Sequence, residues 1–105
     1  MKILVTGGSG FIGTVLIKKL LLDGYKVNCL DLNNSLNIKN KNFKFFKSSV
    51  MNEKMLNNAS KRVQLIIHLA ASMGVQNTDK NFIDCLDINI LGTKKVLETA
   101  KKNNV

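Results

Sequence analysis

The 105-residue chain holds no proline and no tryptophan, one histidine, one tyrosine, two cysteines and seven acidic side chains against sixteen basic ones. No proline-rich or glycine-serine stretch marks a linker, and there is no internal repeat, so no domain boundary is visible in residues 1–105. No run approaches the ~20 apolar residues of a membrane span, and the apolar start at Ile3 is too short for a secretory signal, which leaves a cytoplasmic location as the expectation. Cys29 and Cys85 form no CxxC pair and have no histidine nearby in sequence, so both read as reduced thiols without a metal role. The net charge of +9 would suit a phosphate backbone, but Arg62 is the only arginine and the lysines are scattered. Even the cluster Lys39, Lys41, Lys44 and Lys47 alternates with Asn and Phe, as a solvated loop entering a strand does, and argues against a nucleic-acid partner.

What is present is an ordered series of patterns. The run Ile3-Leu4-Val5 leads into Thr6-Gly7-Gly8-Ser9-Gly10-Phe11-Ile12-Gly13, and a helical pattern follows. Strand, glycine turn and helix in that order suit a dinucleotide pyrophosphate: glycine lets a phosphate approach the main chain, and the helix offers unpaired N–H groups and its positive dipole end. Ile12, Val15, Leu16 and Leu20 recur at helical spacing and Gly24 stops the helix. A second strand, Lys26-Val27-Asn28-Cys29-Leu30, ends in Asp31, a little over the roughly 20 residues past the first glycine at which an acid meets the adenosine ribose.

Residues 33–42 read as loop, and Phe43-Lys44-Phe45-Phe46-Lys47 as a third strand ended by Ser48 and Ser49. A short helix is predicted over residues 52–61 from Met55, Leu56 and Ala59. Residues 63–71 form the longest apolar run and predict a strand buried on both faces. After a loop over residues 72–81, a last helix is predicted over residues 82–102, with Leu86, Asn89, Ile90, Thr93, Leu97 and Ala100 on one face. Four alternations of strand and helix imply a parallel α/β sheet of order 3-2-1-4, one wing of a doubly wound fold. Its ligand cleft should open between strands one and four, where residues 7–13 face residues 69–73.

TGGSGFIG at residues 6–13, the strand-terminal Asp31, HLAA at residues 68–71 and Asn89-Ile90-Leu91-Gly92-Thr93 together give the chain its resemblance to the extended short-chain dehydrogenase/reductase family, in particular to NAD-dependent nucleotide-sugar epimerases and dehydratases. The resemblance covers the whole chain and implies a Rossmann-type domain with NAD as cofactor. By that likeness the glycines Gly7, Gly10 and Gly13 form the turn, and Phe11 and Ile12 donate N–H groups to the pyrophosphate. Asp31, Leu32 and Asn33 hold the adenosine ribose, while Leu69, Ala70, Ala71 and Met73 line the nicotinamide ribose. Asn89 approaches the cofactor from the last helix. No arginine follows Asp31 to pair a 2′-phosphate, and the carboxylate would repel one, which favours NAD over NADP. At the adenine, where family members commonly carry an Asp followed by a small apolar residue, this chain has Ser49 and Val50, a weaker acceptor.

Plainer roles suit some of these residues. His68 reads as a packed, hydrogen-bonded histidine in preference to a base, Asn89 and Thr93 as groups that satisfy buried backbone, and Asp84 and Asp87 as charges favoured near a helix N-terminus. The family's catalytic Tyr-x-x-x-Lys pair is not on this chain: its one tyrosine, Tyr25, is followed four residues later by Cys29. The expectation is therefore the cofactor-binding half of a nucleotide-sugar epimerase or dehydratase, truncated before the fifth strand and inactive alone. Its nucleotide-sugar substrate would be bound only once the missing half is supplied, and its apolar fourth-strand edge is open to pairing in a homodimer or with a complementary chain. The alternatives are a non-enzymatic NAD-binding sensor or interaction module and an NADPH-dependent ketone reductase.

Overall fold

The computed structural model describes residues 1–72 and 82–105. Four strands, β1 (Lys2–Thr6), β2 (Lys26–Asp31), β3 (Phe43–Lys47) and β4 (Leu65–His68), form one sheet in the order β3-β2-β1-β4. Every pairing is parallel, with Val5 opposite Cys29 on one side and Ile67 on the other. Helix α1 (Phe11–Leu22) follows β1, α2 (Glu53–Ala59) follows β3, and the chain closes with α3 (Phe82–Leu86), a single π-helical turn (Asp87–Leu91) and α4 (Gly92–Lys102). The Rossmann-type order expected from the alternation is the one observed. No helix among the described residues is long and apolar enough to cross a membrane.

Side chains of a strand alternate between its faces, so the apolar runs of β1 and β2 feed two cores. Ile3, Val5, Val27 and Cys29 pack with Ile17 of α1 on one face, joined by Leu36 from the loop after β2. Leu4 and Leu30 pack with Val50, Leu56, Ala59, Val63 and Val96 on the other, the side of α2 and α4. Asn28, inside β2, is satisfied by donating to the Ala59 carbonyl at 2.7 Å, which ties the sheet to the end of α2. Asn52 caps the start of α2, its side chain accepting from the Met55 N–H at 3.1 Å.

Three expectations need correction. The fourth strand is shorter than residues 63–71 and only half-buried: β1 pairs it on one side, it is an edge of the described sheet, and Leu65 is exposed. Of the face expected on helix α1, Leu16 and Leu20 pack against the core, but the fully buried residues are Gly13 and Ile17, while Ile12 and Val15 point outward. The cause is Gly13, where a Cβ would come within 2.5 Å of Gly8 Cα; the bare backbone lets the helix press onto the turn and swings Ile17 inward. In the last helical segment the buried residues are Cys85, Gly92, Val96 and Thr99, and Leu86, Ile90 and Leu97 of the face read from the spacing are exposed. The buried face lies one residue off the expected one both before and after the π turn, and it is the face on which Gly92 comes close enough to Val50 that a Cβ would meet it at 2.8 Å.

Candidate dinucleotide cleft

β1 ends at Thr6 and the chain turns through Gly7, whose φ of +70° is a conformation that side chains strain. A Cβ there would also meet the Ala70 nitrogen at 2.6 Å, so the glycine turn and the segment after β4 touch backbone to backbone. Of the expected facing of residues 7–13 and 69–73, the approach of Gly7 to Leu69 and Ala70 is observed. The turn is closed by Gly10, which donates to the Gly7 carbonyl at 3.2 Å. Gly10 then stands as the N-cap of α1, where it supplies no side chain to the helix end. The N–H groups of Phe11, Ile12 and Gly13 have no intrahelical acceptor, and the first intrahelical bond is Thr14 to Gly10 at 3.0 Å. Phe11 is 93% exposed, so this open helix end is bordered by an apolar ring and not covered by one.

Asp31, at the carboxyl end of β2, is held by its neighbours. One carboxylate oxygen accepts from the Ser9 N–H at 2.9 Å and the other from the Leu32 N–H at 2.7 Å. The Ser9 hydroxyl donates to the Asn33 carbonyl and the Gly7 N–H to the Leu30 carbonyl at 2.9 Å, so the glycine turn is tied both to β2 and to the residues just after it. Leu32 and Asn33 are exposed beside it. Ser9 was not among the expected site residues; its place inside a short glycine motif whose strand neighbour ends in an acid is the signal that could have found it.

Beyond β3, the Ser49 hydroxyl accepts from the Met51 N–H at 3.1 Å and the Ser49 carbonyl accepts from Asn52 at 3.1 Å, a compact turn. Val50 sits in the core, where its side chain packs on Gly92, a position at which a Cβ would come within 2.8 Å of it. On the opposite wall Leu69 donates to the Thr6 carbonyl at 3.0 Å and Ala70 to the Thr6 hydroxyl at 3.2 Å, while Ala71 is exposed. Met73, expected beside the nicotinamide ribose, lies outside the described residues. Asn89 spends its whole side-chain amide on one residue, accepting from the Ser72 N–H at 2.7 Å and donating to the Ser72 carbonyl at 3.0 Å. Ser72 also lies 3.1 Å from the Cys85 sulfur.

His68 is hydrogen-bonded at both ring nitrogens, to Thr6 at 2.6 Å and Thr93 at 3.1 Å. Burial holds its pKa below the ordinary histidine value. The packed, hydrogen-bonded histidine expected from the sequence is what stands here. Tyr25 lies before the first residue of β2, a six-residue strand that puts roughly 20 Å between it and the Asp31 end.

The model of the NAD dependent epimerase/dehydratase family matches residues 3–105. The chain belongs to that family. Among its relatives in this epimerase/dehydratase family is a dTDP-D-glucose 4,6-dehydratase of Dictyostelium discoideum, 38% identical over 113 aligned positions that take in 95% of this chain and 26% of the dehydratase. A decarboxylating sterol-4-alpha-carboxylate 3-dehydrogenase of Mus musculus is 34% identical over 99% of this chain and 27% of its own. Among solved structures, the UDP-glucose 4-epimerase of Thermus thermophilus in complex with NAD superposes with a TM-score of 0.86 at 28% identity, over all of this chain and 35% of the epimerase. The chain thus spans about a quarter to a third of the length of these proteins.

Proposed function

We propose that this chain binds NAD as the cofactor half of a nucleotide-sugar epimerase or dehydratase. The observation that carries the reading is the joining of three groups at one end of the sheet: the glycine turn pressed on Ala70, the uncapped start of α1, and Asp31 pinned by Ser9 and Leu32. These fit a dinucleotide. The N–H groups of Phe11 and Ile12 would meet the pyrophosphate, and the helix start has no capping side chain to compete. The Asp31 carboxylate, already oriented by two N–H donors, keeps acceptor capacity for ribose hydroxyls. Leu32 and Asn33 would flank that ribose, Ser49 and Val50 the adenine, and Leu69, Ala70 and Ala71 the nicotinamide end.

Bound NAD would supply a hydride acceptor and donor for a sugar carbon. The chain's own contribution is binding and orientation, because Tyr25 is remote from the cleft and no Tyr-x-x-x-Lys pair occurs in the sequence. NAD is favoured over NADP because a 2′-phosphate would meet Asp31.

Calorimetric titration of the chain with NAD and NADP, beside Asp31→Ala, tests the reading. NAD should bind more tightly than NADP, and the substitution should weaken NAD by about 10- to 100-fold, the range of a hydrogen bond to a charged group. A chain that circular dichroism shows to be folded and that takes up no NAD would sink the proposal.

A further inference from the structure

The Thr93 hydroxyl has one hydrogen, and it is donated to the Asn89 carbonyl at 2.7 Å. His68 Nε2, 3.1 Å from the same oxygen, therefore finds only acceptor capacity there and must carry a hydrogen itself. A second proton on this half-buried ring is disfavoured, so Nδ1 is the acceptor and Thr6 Oγ1, at 2.6 Å, its donor. Thr6 in turn accepts from the Ala70 N–H at 3.2 Å. At the far end of the chain of bonds, Asn89 grips the Ser72 backbone through both ends of its amide. The circuit begins on Ala70 and closes on Ser72, two residues along the same segment. Its two grips come from β1 and from the π turn, and within this circuit the imidazole of His68 joins them.

We propose that His68, held as the neutral Nε2–H tautomer, is a positioning residue that couples the end of β1 to the π turn and so sets Ala70–Ser72 against the glycine turn. The proposal deepens the dinucleotide reading and rests on it for what the segment is positioned to do. A ring in the other tautomer would set a donor against Thr6 and leave Thr93 facing a bare nitrogen, and the circuit would break at both joints.

His68 is the only histidine in the chain, so a ¹⁵N-histidine sample gives one unambiguous ring in long-range proton–nitrogen spectra. At neutral pH the native chain should show a protonated Nε2, an unprotonated Nδ1 and slow exchange of the ring proton with water. An Nδ1–H ring, or an averaged mixture of tautomers, would overturn the proposal. In His68→Phe the amides of Ala70 and Ser72 should exchange at least tenfold faster than in the native chain, with the Cys29 amide inside β2 unchanged; equal rates at Ala70 and Ser72 overturn it too. Should that variant not fold, the native spectrum alone decides. Neither readout uses NAD, so a native chain that binds no NAD counts against the dinucleotide reading while the tautomer still judges the circuit.

Discussion

The two walls of the cleft are built by different means. The wall made by β1, α1 and the end of β2 is largely backbone: a turn whose shape depends on missing side chains, an uncapped helix end and a carboxylate fixed by main-chain donors. The wall made by β4 and the π turn is held by side chains, Thr6, His68, Thr93 and Asn89, passing hydrogen bonds in series. Backbone built by glycine is intolerant of any addition, whereas a side-chain circuit fails one bond at a time.

The sharpest way to break this contrast is Gly7→Ala. It combines a positive φ with a clash against the Ala70 backbone, and should cost on the order of 2–4 kcal/mol in urea unfolding. An alanine variant as stable as the native chain would show that the first wall yields more readily than its geometry implies. Next in size is Thr93→Val, which leaves the His68 Nε2–H without its acceptor and should lower stability by about 1–2 kcal/mol. Acid acts on the same circuit. His68 has a folded pKa below its unfolded value of about 6.5, so its contribution is present above that value and is lost as pH falls through it toward the folded pKa. The urea midpoint should therefore decline on acidification from pH 7.5 to 5, and His68→Phe should flatten that decline. Smallest is Ser9→Ala, which removes the hydroxyl bond to Asn33 but keeps the backbone bond to Asp31, for about 0.5–1.5 kcal/mol and a fall in NAD affinity of less than tenfold.

The same division governed what could be read in advance. The glycine turn, Asp31 and the strand order follow from local rules, since a glycine spacing and an apolar run each constrain a short piece of backbone. The bounds of β3 matched the expected Phe43–Lys47 because alternation and flanking serines both lie within a few residues. The burial of the last helix did not follow, because the face that turns inward, with Cys85, Gly92, Val96 and Thr99, is set by the close approach of Gly92 to Val50, a tertiary contact. The orientation of α1 depended on contact between Gly13 and Gly8, a tertiary fact. His68 was legible as a hydrogen-bonded histidine, but its partners lie 62 and 25 residues away and no periodicity announces them. Ser72 was missed for a similar reason: a serine beside alanine carries no pattern until the fold supplies its partner.

Cys29 lies directly behind the glycine turn, where a side chain on Gly8 would strike its sulfur, and burial with the nearby Asp31 charge pushes its thiol up to about 12. A thiol that seldom ionises and has no route to solvent is a poor nucleophile while the turn is shut. Its rate of alkylation, followed by peptide mass spectrometry, is therefore a built-in clock for the opening of the turn, and a ligand that clamps the turn should slow that clock.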